Sequence, residues 1–412
     1  MEFVADLHIH SKYSRATSRD MDIVHIAEWA KLKGITLMGT GDFTHHLWLE
    51  ELKSKLEPTG KGLFAHNGIH FILSAEVSSI YSKNNRTYRI HNLILAPSFK
   101  TVDAINRVLG AVGNLSSDGR PILGLDAAEL ARIVFDIDEN CMLIPGHIWT
   151  PWFSLFGSMS GFDRIEDCFE KSTPKIFALE TGLSSDPAMN WRLSALDRFS
   201  LVSNSDSHSP SKIGREANIF DCDLDYGVIR EVLRSKDKKR FLYTIEFFPE
   251  EGKYHFDGHR LCGISFSPEE SRKNANRCPK CKKPLTVGVL NRVYQLADRK
   301  EGFVPESAIP FKSLVPLDEI IADAKQVGKG SVSVEKEYRQ ILARFGTELD
   351  ILSKVPVEEL KRAINPKIAS GIERVREGRV KVEPGYDGEY GKVSIFGEEE
   401  CKRADEQQMS LF

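Results

Sequence analysis

The 412-residue chain has no apolar run near the roughly 18 residues needed to cross a bilayer. Its opening MEFVADLHIH also carries charge where a secretory signal needs an apolar core. Both absences point to a cytoplasmic protein, nucleoid-associated if its partner is DNA. Cysteine is scarce: seven residues at uneven spacing exclude a disulfide scaffold, leaving metal binding or redox chemistry as the use of any Cys-x-x-Cys pair. A large excess of one charge is missing too, the formal net charge being −3. The balance is not local, however. Residues 253–300 hold eleven Lys/Arg against four Asp/Glu, or +7, and residues 383–406 hold eight acids against three bases, or −5. Nucleic acid therefore stays open as a partner. With 41% apolar and 28% charged residues the composition is that of a globular protein. At roughly 100–200 residues per domain, two to three domains are expected.

Up to residue 248 the β-rich runs FVADLHI, ITLMGT, HFILSA, RIHNLILA, CMLIP, KIFALE and FSLVSN alternate with helical patterns. That alternation predicts an α/β fold of repeated βα units around a parallel sheet or barrel. One helix is legible in detail: Asp22 caps a segment with Ile23, Ile26, Ala27 and Ala30 on one face, and Gly34 ends it. Residues 249–312 form a basic, cysteine-containing module and connector. Residues 313–382 read as a small helical domain, either plain helical packing or a helix-hairpin-helix grip on DNA, and 383–412 as a flexible tail.

Asp6-Leu-His8-Ile-His10 closes the first strand, and residues two apart on a strand share a face. Asp206-Ser-His208 repeats that pattern after FSLVSN. Between them Asp42, Glu76, His91 and His147 fall at the ends of other predicted strands. In a parallel barrel these ends share one rim, where active sites are built. Five of the twelve histidines lie at such positions. Together with Glu76 and Asp206 they predict a metal centre, and mixed imidazole and carboxylate donors suit Zn²⁺, Mn²⁺ or Fe²⁺. Such ions would activate water, polarise phosphoryl oxygens and neutralise a leaving alkoxide, so a phosphoester is the natural substrate. Lys12, Arg15 and Arg215 are candidate cations near the rim.

The motifs DLHIHSKYS, GTGDFTHH, SAEV, IHN, PGH and SDSH resemble the polymerase and histidinol phosphatase (PHP) superfamily over residues 1–248. That resemblance implies a distorted seven-stranded (β/α)7 PHP barrel holding two to three metals. His8, His10, Glu76 and Asp206 would surround one, and Glu76 would bridge to a second held by His91 and His147. A third would use His208. Thr40-Gly41-Asp42 stands where many members have Thr-Asp-His, which makes Asp42 the substitute ligand, with His45 or His46 as helpers.

His259-x-x-Cys262 and Cys278-x-x-Cys281 are two pairs fifteen residues apart, a spacing that wraps one structural zinc with three cysteines and one histidine. His255 is the alternative fourth ligand. Around them Arg272, Lys273, Arg277, Lys280, Lys282 and Lys283 form a candidate phosphate track for DNA. Trp149, Trp152 and Phe153, following His147, are candidates to stack on an extruded base, although an aromatic stripe is more often core. At the extreme end, Gln408, Met409, Leu411 and Phe412 resemble the motif that binds the bacterial sliding clamp. The order of barrel, cysteine module, helical segment and tail resembles the endonuclease Q family of DNA repair enzymes. This implies metal-dependent cleavage 5′ of uracil, hypoxanthine, xanthine or an abasic site, leaving 3′-hydroxyl and 5′-phosphate ends. A small-molecule phosphatase of the histidinol phosphatase type is the alternative, but it needs neither module nor tail. A non-catalytic DNA-binding accessory has no reason to keep so many donors.

Overall fold

The computed structural model describes residues 1–397. Seven strands lie in the barrel: β1 (Glu2–Asp6), β2 (Leu37–Gly39), β3 (Ile69–Lys83), β4 (Arg86–Ala96), β5 (Met142–Pro145), β6 (Ala178–Glu180) and β7 (Ser200–Val202). β1, β2 and β3 pair in parallel, as do β6 and β7. Single links join the rest of the ring. Ile148 N donates to Glu180 O at 3.1 Å between β5 and β6, and His10 N donates to Ser207 O at 2.9 Å between β7 and β1. Leu7, Leu37, Ile72, Leu93, Ile144, Ala178 and Val202, one from or just after each strand, share one apolar cluster. A cluster fed by every strand is the packed interior of a barrel.

The architecture is the expected α/β barrel, with one departure. β4 runs antiparallel to both β3 and β5, so the sheet is mixed rather than a uniform βα repeat. The reason is local. Asn84 and Asn85 both take left-handed φ angles (52° and 61°), and a two-residue turn of that kind can join only antiparallel neighbours. The helix read from sequence, α1 (Ile23–Lys33), is capped as expected: Asp22 accepts from Val24 N and His25 N, and Gly34 takes a left-handed φ of 89°. Its buried residues include Ile23, Ile26, Ala27 and Ala30. Two further strands, β8 (Ala217–Asp221) and β9 (Phe241–Glu246), extend the sheet from β1 in antiparallel order.

The cysteine module holds a hairpin of β10 (Asp257–His259) and β11 (Ile264–Phe266) and a helix, α2 (Val289–Leu296). That helix docks it on the barrel. Arg292 Nε donates to Phe156 O at 2.9 Å and its Nη2 to Phe162 O at 3.1 Å. The chain then returns to the main sheet as β12 (Phe311–Ser313), parallel to β9. Five helices follow: α3 (Leu317–Lys325), α4 (Val332–Phe345), α5 (Glu348–Ser353), α6 (Val357–Ala363) and α7 (Pro366–Arg376). The tail expected from residue 383 does not begin there. β13 (Lys381–Glu383) and β14 (Lys392–Ser394) form a hairpin whose loop is tied to the module: Phe256 N donates to Gly385 O at 2.9 Å, and Gly385 N to Glu250 O at 2.8 Å. The acidic run thus has backbone partners as far as Gly391, and Ile395 and Phe396 are buried. The residues resembling a clamp motif lie outside the described ones. Among the described residues no helix is long and apolar enough to cross a membrane.

One buried ion pair fastens the helical domain to the barrel. Lys33 Nζ, at the end of α1, sits 2.6 Å from Glu348 Oε2, both side chains 4% exposed. Glu348 also accepts from Tyr338 Oη at 2.6 Å and Leu317 N at 3.0 Å. Removing one partner strands a charge away from water. Glu348→Ala is expected to cost about 3–5 kcal/mol of stability, read as a lowered midpoint in chemical denaturation. A change within experimental error would show that water reaches Lys33.

Candidate metal centre

The donors converge, though not all from strand ends. His8 and His10 follow β1, His147 lies two residues past β5, and Asp206 four past β7. Glu76 and His91 instead sit inside β3 and β4, where register pairs Glu76 with Leu93 and His91 with Ser78. Paired residues share a face, so both point inward with Leu93. Their strands simply run on past the rim as a hairpin.

Two donor groups result. Ligand atoms of His8, His10, Glu76 and Asp206 lie within 4.8 Å of one another, and so do those of Glu76, His91 and His147. Glu76 belongs to both. Its Oε2 is 3.1 Å from His10 Nε2 and 3.6 Å from His8 Nε2. Its Oε1 is 2.7 Å from His91 Nδ1 and 3.1 Å from His147 Nε2. Asp206 Oδ1 is 3.0 Å from His10 Nε2. In the first group these approaches are poorly aligned for hydrogen bonding, leaving His8 Nε2, His10 Nε2 and Asp206 Oδ1 buried without a partner, whereas His147 Nε2 and Glu76 Oε1 are within hydrogen-bonding geometry. Lone pairs aimed at a common point rather than at each other are what a divalent cation requires. The residues fit a metal.

A second layer holds the imidazoles. His8 Nδ1 donates to Glu180 Oε2 at 2.9 Å, and His10 Nδ1 to Asp42 Oδ1 at 3.0 Å, each fixing the tautomer that frees Nε2. Asp42, expected as a ligand, is therefore corrected to an orienting role. Its Oδ2 is taken by Ser11 N (2.6 Å), Ser11 Oγ (2.7 Å) and Ser14 Oγ (3.0 Å), which turns the carboxylate away from both donor groups. His45 and His46 do not join either group. His45 stacks on Tyr13 with centroids 4.5 Å apart, and His46 Nδ1 is 2.9 Å from Ser116 Oγ. His208 packs against the ring of His10 at 4.5 Å, outside both groups, with its Nδ1 donating to Asp206 O at 2.9 Å.

Three residues of the site have left-handed backbones. Asp42, His147 and Asp206 have φ angles of 48°, 29° and 46°, a region that costs a non-glycine residue about 1–3 kcal/mol. Gly182 makes the His147 turn possible: a Cβ on it would stand 2.4 Å from His147 Cβ. Two residues escaped the sequence reading. Glu180 carried the same signal as the rest, an acid closing a predicted strand. Arg120, whose Nη1 is 3.0 Å from Glu76 Oε2, lies in a Ser-Asp-Gly-Arg-Pro turn with nothing to mark it.

In the cysteine module His259, Cys262, Cys278 and Cys281 bring their ligand atoms within 4.8 Å. A tetrahedral zinc with bonds of ~2.3 Å sets its sulfurs about 3.8 Å apart, so the four fit one ion. His255 is instead buried beside Phe256, and burial pushes it down to about 4. Cys141, Cys168 and Cys222 are buried elsewhere. Arg272, Lys273, Arg277, Lys280, Lys282 and Lys283 are all exposed, and none is paired with a carboxylate among the described residues. Trp149 is a correction: it is fully buried, and its Nε1 donates to Asn190 Oδ1 at 2.8 Å, so it belongs to the core. Trp152 and Phe153 are half-buried. The Phe153 ring lies 4.9 Å from that of His91, and Trp152 packs edge-on to Tyr254 at 5.3 Å.

Known proteins are similar to this chain. Residues 316–379 match the family described as the MJ0043 C-terminal domain. The chain is 32% identical to the lesion-specific endonuclease PfuEndoQ from Pyrococcus furiosus, with a TM-score of 0.86 over 98% of this chain and 97% of that one. The same identity and TM-score relate it to an endonuclease Q in complex with a 27-mer duplex substrate bearing an abasic lesion at the active site, over 97% and 98% of the two chains. It is also 33% identical over 268 residues to the uncharacterized protein MJ0043 of Methanocaldococcus jannaschii. That match takes in 63% of this chain but only 33% of the relative, so the chain spans about a third of that protein's length.

The charges at the first donor group set a pH dependence. Burial alone would lower both imidazoles, but Glu180 and Glu76 around His8, and Asp42, Asp206 and Glu76 around His10, outweigh it and hold both well above the ordinary histidine value. The neighbouring carboxylates thus favour a proton on each ring, in competition with a cation. A metal takes only the neutral ring, so its entry releases protons and its affinity falls as pH falls. Calorimetric Mn²⁺ titrations in buffers of different ionisation heat should show proton release; a pH-independent affinity would contradict this picture.

Proposed function

The chain belongs to the endonuclease Q family, and from that premise we propose that it is a metal-dependent DNA repair endonuclease. It hydrolyses the phosphodiester 5′ of a deaminated base (uracil, hypoxanthine or xanthine) or an abasic site and leaves 3′-hydroxyl and 5′-phosphate ends. The sharing of Glu76 between two donor groups carries the reading, because two adjacent cations match a phosphodiester that must be attacked on one side and released on the other.

His8, His10, Glu76 and Asp206 hold one divalent ion and Glu76, His91 and His147 a second; zinc, manganese and iron all suit these donors. His208, beside His10, is the remaining donor for a third. Bound there, the ions supply water activation and neutralise charge on the phosphoryl and leaving oxygens. The chain supplies the positioning. Asp42 and Glu180 keep His10 and His8 in the tautomer that binds, and Asp206 faces the opening, its side chain 25% exposed. His259, Cys262, Cys278 and Cys281 hold a structural zinc that folds a unit too small to bury a core of its own. Its six exposed cations track the DNA backbone with salt-sensitive, sequence-independent affinity. Trp152 and Phe153, next to His91, stack on a base taken out of the helix, a step that costs least where pairing is already damaged. Gln408, Met409, Leu411 and Phe412 dock on a sliding clamp through apolar anchors.

Two variants test this. The wild-type chain is expected to nick duplexes carrying uracil, hypoxanthine or an abasic site in the presence of Mn²⁺, and Asp206→Ala to bring nicking to background while duplex binding is largely retained. Hydrolysis of a free phosphomonoester with no cut oligonucleotide would instead favour the phosphatase alternative. Deleting residues 408–412 should leave clamp-free cleavage unchanged and remove stimulation by a clamp; a large loss of clamp-free activity would refute the docking role.

A further inference from the structure

Arg120 is a rim cation to which the reaction above gives no part. Its Nη1 rests 3.0 Å from Glu76 Oε2, the oxygen that His8 and His10 also approach. The segment carrying it is tied down on several sides. Gly119 N donates to Tyr13 O at 3.0 Å, Thr44 Oγ1 donates to Gly119 O at 3.2 Å, and Ser78 N donates to Pro121 O at 3.0 Å. Gly119 passes over Asp42 so closely that a Cβ there would lie 2.3 Å from Asp42 Oδ2. The backbone is thus fixed, while the Arg120 side chain, 28% exposed, reaches from the opening to a buried carboxylate.

The rim cations expected from sequence are engaged elsewhere. Lys12 pairs with Glu51 at 2.7 Å, Arg15 is 85% exposed, and Arg215 donates twice to Ser205 O. Arg120 alone of these four touches the donor groups. Its present partner is one that a cation would claim. Each oxygen of Glu76 faces a donor group, so filling both groups puts positive charge where the guanidinium now lies, and like charges this close repel. The planar fork of an arginine matches phosphate oxygens bidentately. The scissile phosphodiester is the anion brought to that spot.

We infer that Arg120 is a catalytic residue that leaves Glu76 when cations and DNA are bound and grips the non-bridging oxygens of the phosphate being cut. There it stabilises the negative charge that builds up in the transition state. No bond to Arg120 forms or breaks. The inference rests on the endonuclease reading.

The test compares full-length wild type, Arg120→Ala and Arg120→Lys on an abasic-site duplex, with two readouts besides nicking: Mn²⁺ affinity without DNA, and inhibition of nicking by inorganic phosphate. Arg120→Ala should lose on the order of 10²–10³-fold in kcat, and Arg120→Lys should regain part of it. Mn²⁺ affinity should be unchanged or tighter, and inhibition by phosphate should weaken. Arg120→Gln, closer in length, serves the same comparison if the alanine variant does not fold. Unchanged kcat, or a loss of Mn²⁺ affinity that accounts for the lost activity, would overturn the inference. Failure of the wild type to nick any damaged duplex would count against the endonuclease reading itself, whereas wild-type nicking with an indifferent Arg120→Ala counts only against Arg120.

Discussion

A carboxylate taken out of water has to be neutralised, and Glu76 is that carboxylate. It is 1% exposed, and an uncompensated charge at such depth costs several kcal/mol even after relaxation. Burial would raise its pKa, but His91, Arg120 and His8 hold it well below the usual carboxylate value. Meeting that demand brings β1, β4, β5 and the 118–121 segment to β3, which carries Glu76: His8 and His10 follow β1, His91 lies in β4, His147 follows β5 and Arg120 comes from the segment. The left-handed backbones of Asp42, His147 and Asp206 show that this convergence overrides local preference. Each turn aims a side chain inward that a relaxed turn would aim elsewhere.

Much of this was legible because the barrel converts a one-dimensional pattern into a point. His8 and His10 share a face by strand alternation, and the positions of His147 and Asp206 just past apolar runs put them on the rim. The α1 caps follow from Asp22 and Gly34 alone. Other features were closed to that reading for identifiable reasons. The antiparallel β3–β4 hairpin was announced by Asn84-Asn85, but the apolar runs on both sides look the same in either direction. Asp42 has the chemistry of a ligand; only the hydroxyls of Ser11 and Ser14, which bind its second oxygen, show that it orients His10 instead. The burial of Trp149 depends on Asn190, forty-one residues away, and no local pattern reports such a partner. Arg120 shows the same limit from the other side, since its meeting with Glu76 is made wholly by the fold.

The module and the loop after His147 depend on each other. Arg292 caps two carbonyls of that loop, at Phe156 and Phe162, and Ser158 Oγ donates to Val287 O at 3.2 Å in return. A guanidinium that satisfies main-chain oxygens fixes the path of a segment that has no strand or helix to hold it. With Trp149 anchored below, Trp152 and Phe153 are carried on a rigid base. Pre-organisation matters for stacking, because an aromatic ring that must first be ordered loses part of its contact energy to entropy. The same contacts place the basic module beside the loop, so on the proposed function backbone grip and base contact would be set by a single interface.

On the proposed function, charge then separates holding DNA from cutting it. Asp42, Glu76, Glu180 and Asp206 bring four carboxylates to one small volume, and their charge is taken up by the histidines, Arg120 and the cations the donor groups would hold. On that reading, affinity for the strand also comes from outside the centre, from the six exposed cations of the module, none of them paired with a carboxylate among the described residues. Contacts of that kind would be equally good before and during reaction, so they would lower the concentration of DNA needed without lowering the barrier. What lowers the barrier has to strengthen as charge builds on one phosphate, and that belongs to groups at the carboxylate-lined mouth. A chain that put both tasks on the same residues would have to choose between them; the proposed function assigns them to neighbouring but distinct elements.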